Sequence, residues 1–250
     1  YRVEDSDFAM YNTPSAGSTV QFELHGSPGS NGLFRHSKQI VGRGAYRSLT
    51  FHEVESKSLI NRVPESSQVP FSYTINPYRG CSHACTYCFA RPTHEYLGFD
   101  IGADFDSQIV VKTNAVELAR AETAPGRWAG DRIAMGTNTD PYQKAEGKYR
   151  LTRGIVEVLT ERRNPFSILT KSTLALRDLD VFVEAAAVTG VSVDFSIATL
   201  DEDVWRETEP GTPHPRQRLA AVRRLNDAGV PSGVLAAPLL PFEQRQLVAQ

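Results

Sequence analysis

The sequence predicts an α/β protein made of parallel βαβ units behind an irregular N-terminal arm. Two observations predict it. From about residue 70, short apolar runs alternate with stretches of helical periodicity. Before about residue 50 the chain is rich in Gly, Ser and Asn and shows no such rhythm.

The arm holds one alternating stretch, Val20-Gln21-Phe22-Glu23-Leu24, with the pattern of a short strand. Turn chemistry follows in Ser27-Pro28-Gly29-Ser30-Asn31-Gly32. The rhythm then opens with Phe71-Ser72-Tyr73-Thr74-Ile75 as a strand. Ile109-Val110-Val111 is the second apolar run, and Asn114 is placed to cap the helix after it. Residues 131–135 read as a strand. A helix follows over 152–161, with Leu151, Ile155, Val158 and Leu159 on one face. Residues 166–170 form the next strand, and the helix beyond carries Leu176, Leu179, Val183 and Ala186 on its apolar side. Val191 to Ile197 is a strand. Thr212-Pro213 reads as N-cap and first helical residue of a helix to Asp227, stopped by Gly229. Val234 to Ala237 is the last strand, and Phe242 to Gln250 suffice only to begin another helix. That is too few strands for a closed barrel, so an open sheet is expected.

The chain's 250 residues are enough for a large hydrophobic core. With 27 Lys and Arg against 29 Asp and Glu, the net charge of −2 argues against non-specific nucleic-acid binding, though it leaves room for a local basic groove. No apolar run is long enough to span a membrane, and the polar, acidic start is unlike a secretory signal. All three cysteines fall within eight residues. That is a poor disulfide framework and a good metal site, so a cytoplasmic, reducing setting is expected.

The cysteines, Cys81, Cys85 and Cys88, stand at C-x3-C-x2-C spacing in a loop after the first strand. Thiolate sulfur suits iron–sulfur clusters and zinc. Three thiolates on a four-iron cube leave one iron open to an outside ligand. The rival is structural zinc with His83 as fourth ligand, for which the two-residue spacings on either side of His83 are cramped. The spacing favours the cluster.

Sites in parallel α/β folds form at the carboxyl ends of the strands. Those ends are polar here. Gly136-Thr137-Asn138-Thr139-Asp140-Pro141-Tyr142-Gln143 fits a turn and fits an ammonium-binding mouth equally well. Lys171, after the next strand, is either a solvated charge or the partner of a carboxylate. The strand after that carries Ser196, either a site residue or a strand hydroxyl bonded to backbone. Arg218 shares a helical stripe with Val222 and Leu225, so it either snorkels or meets an anion at the same mouth. The charged run from Arg91 to Glu95, with His94, reads as a solvated helix face.

Cys81-Ser82-His83-Ala84-Cys85-Thr86-Tyr87-Cys88 resembles the signature of the radical S-adenosylmethionine (radical SAM) superfamily, with the aromatic Tyr87 before the third cysteine. Thr139-Asp140, Thr170-Lys171, Phe195-Ser196-Ile197, Glu209 to Thr212 with Arg218, and Val234 to Pro238 resemble the spore photoproduct lyase-like branch. The resemblance implies an incomplete (β/α)6 partial TIM barrel over 66–250, behind an arm of 1–65. It implies a [4Fe–4S] cluster on Cys81, Cys85 and Cys88, and SAM chelated at the open iron. Reductive cleavage of SAM would then give a 5′-deoxyadenosyl radical that abstracts hydrogen from a substrate, the electron coming from a flavodoxin- or ferredoxin-type donor. By resemblance Thr139 holds the SAM amino group, and Lys171 and Ser196 lie near its carboxylate and ribose. Tyr87 and Ala237 flank adenine, and Asp140 and Arg218 complete the binding set. A DNA photoproduct lyase and a zinc-stabilised binding module are the alternatives. The lyase has a hydrogen-donating cysteine where this chain has Thr137, and the chain has no fourth cysteine.

Overall fold

The computed structural model describes residues 37–67 and 69–240. The strand expected at 20–24, the turn at 27–32 and the helix start after Phe242 lie outside them. In chain order the strands are β1 (Lys38–Val41), β2 (Thr50–Val54), β3 (Ile60–Arg62), β4 (Tyr73–Ile75), β5 (Tyr78–Arg79), β6 (Gln108–Lys112), β7 (Ile133–Met135), β8 (Phe166–Thr170), β9 (Val191–Ser196) and β10 (Val234–Leu235). The α-helices are α1 (Ala103–Ser107), α2 (Ala115–Glu122), α3 (Lys144–Tyr149), α4 (Leu151–Glu161), α5 (Leu179–Val188), α6 (Glu202–Thr208) and α7 (Pro215–Asp227).

Two sheets result. One has the order β10-β9-β8-β7-β4-β3, parallel except for β3. The other has the order β1-β2-β6-β5, with only the β2–β6 pair parallel. The 109–111 run therefore belongs to the second sheet and is not a rung of the first. Its register, His52↔Val110 and Arg79↔Val110, places it between β2 and β5.

In the larger sheet, rows such as Ile75–Met135–Ile168 bury apolar side chains across three neighbouring strands. One core joins both sheets: Phe51 and Leu59 pack in the same cluster as Ile75 and Ile133. Residues 38–62, expected to be irregular, thus contribute three strands. Their Gly and Ser content hid an apolar pattern too short to read by period, Leu49, Phe51 and Leu59 being its buried points.

Several boundaries move for local reasons. Asn114 precedes α2 without capping it through its side chain; its amide bonds the Ser56 backbone instead, accepting from N–H and donating to C=O at 2.9 Å each. The helix after β8 begins as a 3-10 turn over Thr173–Asp178. Its tighter winding shifts the phase, so Val181, Phe182 and Ala185 are buried while Val183 is exposed. The N-cap of α7 is His214, not Thr212. The His214 ring accepts from the Arg216 N–H, and Gln217 accepts from the His214 N–H, a reciprocal box. Gly229, at φ +81°, ends that helix as expected. Among the described residues no helix is long and apolar enough to cross a membrane.

The outer face of β6 carries a cost. Lys112 is only 4% exposed, and burial, followed by repulsion from Arg79, lowers its ammonium pKa to about 7. Glu122, the acid that counteracts this, is shared with the Leu59 and Ile60 N–H groups at 2.8 Å. A lysine lowered in the fold is protonated only in the unfolded chain between about pH 7 and the ordinary lysine pKa. Stability therefore rises with pH across that window. Lys112→Met should melt several degrees above the unsubstituted protein at pH 7, and the gap should close toward pH 10. Thermal denaturation across pH checks this; a constant gap, or a lower melting point at pH 7, would contradict it.

Candidate functional site

The carboxyl ends of β4, β7, β8, β9 and β10 open on one side of the larger sheet. From them come the cysteine loop, Gly136 to Asp140, Lys171, Ser196 and Ala237, in that order. Gly136 is required where β7 turns into the mouth. Its φ is +95°, and a Cβ there would stand 1.9 Å from the Leu169 carbonyl oxygen.

The cysteine loop is pinned from four sides. At its root, Gly80 at φ +74° leaves no room for a side chain against His94 and the Phe105 carbonyl, and the Cys81 N–H donates to that carbonyl at 2.9 Å. From α3's N-terminal side, the fully buried Gln143 amide donates to the Gly80 carbonyl at 2.8 Å and accepts from the Ser82 N–H at 3.1 Å. Thr139 donates its hydroxyl to the same carbonyl at 2.6 Å and accepts from Gln143. From the α6–α7 side, the Gly211 N–H donates to His83 O at 3.0 Å and the Thr86 N–H to Thr208 O at 2.9 Å.

The fourth pin is Arg91. Its guanidinium donates twice to the Cys85 carbonyl, at 2.9 and 3.1 Å, and also to Ile101 O, Gly102 O and both Asp106 oxygens. His94 is fully buried with Nε2 3.0 Å from Gln108 O. The run from Arg91 to Glu95 is thus not a solvated face. The 3-10 winding of Arg91–Leu97 turns Arg91 and His94 inward, a phase that α-helical spacing does not reveal.

The three cysteines are free thiols, Cys81 and Cys85 buried and Cys88 partly so. Burial raises all three pKa values, that of Cys85 to about 12. Thiols in such a pocket stay protonated until a metal displaces the proton. Among the described residues no three His, Cys, Asp or Glu side chains close on one point that would hold a single ion. A cubane makes no such demand, since each thiolate binds its own corner. His83, the suggested fourth zinc ligand, has Nδ1 3.2 Å from Gly211 O, while its buried Nε2 lies 3.1 Å from Asp140 Oδ2 without a hydrogen bond. Three cysteines in one loop, with no fourth in the chain, fit a three-cysteine cluster.

Beside the loop lies a charged cluster that the sequence reading only half foresaw. Glu209, 1% exposed, accepts from the Tyr87 hydroxyl, from Lys171 Nζ at 2.8 Å and from Arg218. Lys171 Nζ also donates to Ser196 Oγ at 2.7 Å and to the Tyr87 hydroxyl at 3.1 Å. Arg218, fully buried, donates further to Pro213 O, Ser196 O and Thr212 Oγ1. Burial raises the Glu209 pKa, but Lys171 and Arg218 outweigh it and hold the carboxylate below its ordinary range. Arg218 does not snorkel, and the anion it meets is Glu209. The signal was present: a charge on an apolar stripe demands a counter-ion. Ala237 is exposed at the rim, its carbonyl accepting from Ser196 at 3.3 Å. Asp140 accepts from Thr170 Oγ1 at 2.7 Å, Tyr142 N–H at 2.8 Å and Lys171 N–H at 2.7 Å.

A family model, the radical SAM superfamily, matches residues 75–248. The chain belongs to the radical SAM superfamily. Its relatives include an uncharacterized protein of Mycobacterium tuberculosis, 52% identical over 78% of this chain and 58% of that protein. Another, from Methanocaldococcus jannaschii, is 31% identical over 68% of this chain and 61% of its own. The chain spans under two thirds of the length of these relatives. Among solved structures, spore photoproduct lyase complexed with dinucleoside spore photoproduct aligns with TM-score 0.59 and 22% identity, over 76% of this chain and 52% of the lyase. A lyase variant with bound AdoMet and the same dinucleoside aligns with TM-score 0.55. At this identity the likeness is one of fold: a radical SAM domain of mixed α/β sheets. The family assigns an enzyme, and its members work with a [4Fe–4S] cluster, SAM and an electron donor.

Gly211 supplies the sharpest test of the loop's seating. A Cβ there would stand 2.3 Å from Ser82 O and 2.8 Å from the His83 carbonyl, both backbone. Gly211→Ala should displace the loop, cost about 1–3 kcal/mol of stability and lower the iron bound per chain on anaerobic reconstitution. Iron content and melting temperature read this out; full iron with an unchanged melting point would contradict it.

Proposed function

We propose that this chain is a radical SAM enzyme, with Cys81, Cys85 and Cys88 holding a [4Fe–4S] cluster at the mouth of an incomplete (β/α)6 barrel. The observation that carries the proposal is the convergence of a rigidly seated three-cysteine loop and the Tyr87–Lys171–Ser196–Glu209 cluster on one strand mouth. When bound, the cluster and SAM supply one-electron cleavage of SAM to a 5′-deoxyadenosyl radical, which takes hydrogen from the substrate.

The chain's own residues bind and orient. Lys171 offers its ammonium to the SAM carboxylate while Glu209 and Ser196 hold it in place. Ser196 also lies within reach of the ribose, and Tyr87 and Ala237 frame the adenine. Thr139 keeps the assigned contact to the SAM amino group while fixing the loop through Gly80 O. Asp140 fixes the Lys171 backbone, and Arg218 fixes Glu209, so both support the binding set from behind. The three clustered thiols suit a reducing cytoplasm, and membership of the radical SAM superfamily calls for an external electron donor, here of flavodoxin or ferredoxin type.

Photoproduct lyase chemistry is not carried over. Thr137 stands at the donor position, its hydroxyl tied to the Asn76 amide at 3.3 Å. An alcohol O–H is too strong a bond to serve as a hydrogen-atom donor. The substrate is therefore left open, and the experiment that names it is also the test. Anaerobically reconstituted protein should be brown and bind four irons per chain. It should form 5′-deoxyadenosine from SAM faster when the true substrate is present. Cys85→Ala should lose colour and SAM cleavage together. A colourless protein holding one zinc, or cleavage that survives in Cys85→Ala, would overturn the reading.

Lys171→Ala should weaken SAM binding more than tenfold while leaving iron content unchanged. Equilibrium binding of SAM to the reconstituted protein checks this; an unaltered affinity would remove Lys171 from the binding set.

A further inference from the structure

Away from the strand mouth, a groove of about 730 Å³ runs between β1, the free edge of the smaller sheet, and α3. Its base is aromatic. Tyr46 meets Phe51 edge-on at 5.9 Å between centroids, and Phe51 meets Tyr149 edge-on at 5.4 Å. Phe51 is fully buried, Tyr46 on the groove is half-buried, and Tyr149 is half-buried behind it.

Its walls are basic. Arg43 lines one side and Lys148 the other, and both are exposed. Lys148 Nζ stands 5.6 Å from the Phe51 centroid and 5.2 Å from that of Tyr149. Lys38 and Arg47, both exposed, are the sequence neighbours of the lining residues Gln39 and Tyr46. Among the described residues, neither Arg43, Arg47 nor Lys148 forms an ion pair with an acid. The nearby acid is Glu53, which is turned to the Tyr149 hydroxyl at 2.9 Å and to Lys38 at 3.9 Å. Elsewhere on the surface Arg120, Arg153 and Arg206 are paired with carboxylates, while Arg127, Arg216 and Arg223 are not.

We propose that this groove binds a short single-stranded segment of nucleic acid, with bases against Tyr46 and phosphates on Arg43, Lys148 and their flanking cations. Three features select this occupant. Arg43, Arg47 and Lys148 carry no carboxylate partner among the described residues, so they are open to an external anion; Lys38 is shared with Glu53. An aromatic face between separated cations matches the alternation of base and phosphate along a strand. The groove holds one or two nucleotide units, and an unstacked base reaches its floor only from a single strand. The net charge of −2 does not oppose this, because the field that matters is local. The inference stands apart from the radical chemistry, since none of these residues touches the cysteine loop or the Lys171 cluster.

The test is fluorescence anisotropy of the anaerobically reconstituted full chain with a labelled 12-residue oligodeoxythymidine. Two to four phosphate contacts predict a fall of log K with log salt of slope about −1.4 to −2.8, at about −0.7 per contact. Arg43→Glu with Lys148→Glu should weaken binding at least tenfold and flatten that slope. Tyr46→Ala should weaken it about fivefold or more, with little change in slope. Iron content and SAM cleavage without substrate should match the unsubstituted protein in every variant, which separates this result from any failure of the radical reading. Absent binding, or equal binding by the charge-reversed variant, would overturn the proposal. So would tighter binding of the matching duplex. A labelled oligoglutamate of equal charge binding as tightly would assign the groove to acidic peptides instead.

Discussion

The strand mouth depends on the burial of one carboxylate, Asp140. Its oxygens accept from the Thr170 hydroxyl, the Tyr142 N–H and the Lys171 N–H, and one faces the His83 ring. Burial alone raises its pKa; these partners reverse the effect and hold it below the ordinary carboxylate range. An ion so enclosed is costly unless every lone pair is met. Meeting them draws together the end of β7, the end of β8 and the cysteine loop. The Asp-Pro turn is thereby more than a turn. It is the joint through which two strand ends and a loop share one geometry.

Glu209 repeats the device one step further around the mouth. It unites Tyr87 from the cysteine loop, Lys171 from β8 and Arg218 from α7. The two cations against one carboxylate leave the cluster with a net positive charge that an incoming carboxylate can meet. Arg218 is locked by four protein acceptors, whereas Lys171 keeps 13% of its side chain accessible. Of the two, Lys171 is the one able to turn toward a ligand. Arg218 is the fixed charge that keeps Glu209 ionised behind it.

What was legible in the sequence follows from range. The strands at 166–170 and 191–196 and the helix over 151–161 were readable because their periodicity is local and long enough to count. The clustering of the three cysteines in one loop was readable from spacing alone. Arg218 announced a counter-ion without naming it, because Glu209 lies in a different element and only the fold brings them together. Gln143 and Arg91 gave no local sign at all. Their work is done on backbone carbonyls of Gly80 and Cys85, and a carbonyl has no letter in the sequence. The 109–111 run was correctly a strand and wrongly a rung, since apolar content does not say which sheet a strand joins. The shifts at Val183 and His94 share one cause: 3-10 winding breaks the 3.6-residue phase on which the helical reading relies.

The same contrast explains why one half of the mouth can be read and the other cannot. The residues next to the cysteines are tied down by protein partners, so their roles are narrowed by what they already hold. Thr137 and Asn76, at the adjacent ends of β7 and β4, bond chiefly to each other, with Asn76 also accepting from the Asn138 N–H at 3.2 Å. A paired hydroxyl and amide suit hydrogen bonding to a polar substrate group and offer no weak X–H bond. On the radical reading proposed above, a hydrogen atom returned to the product would come from a group other than Thr137, because its O–H bond is too strong and its hydroxyl is already held by Asn76.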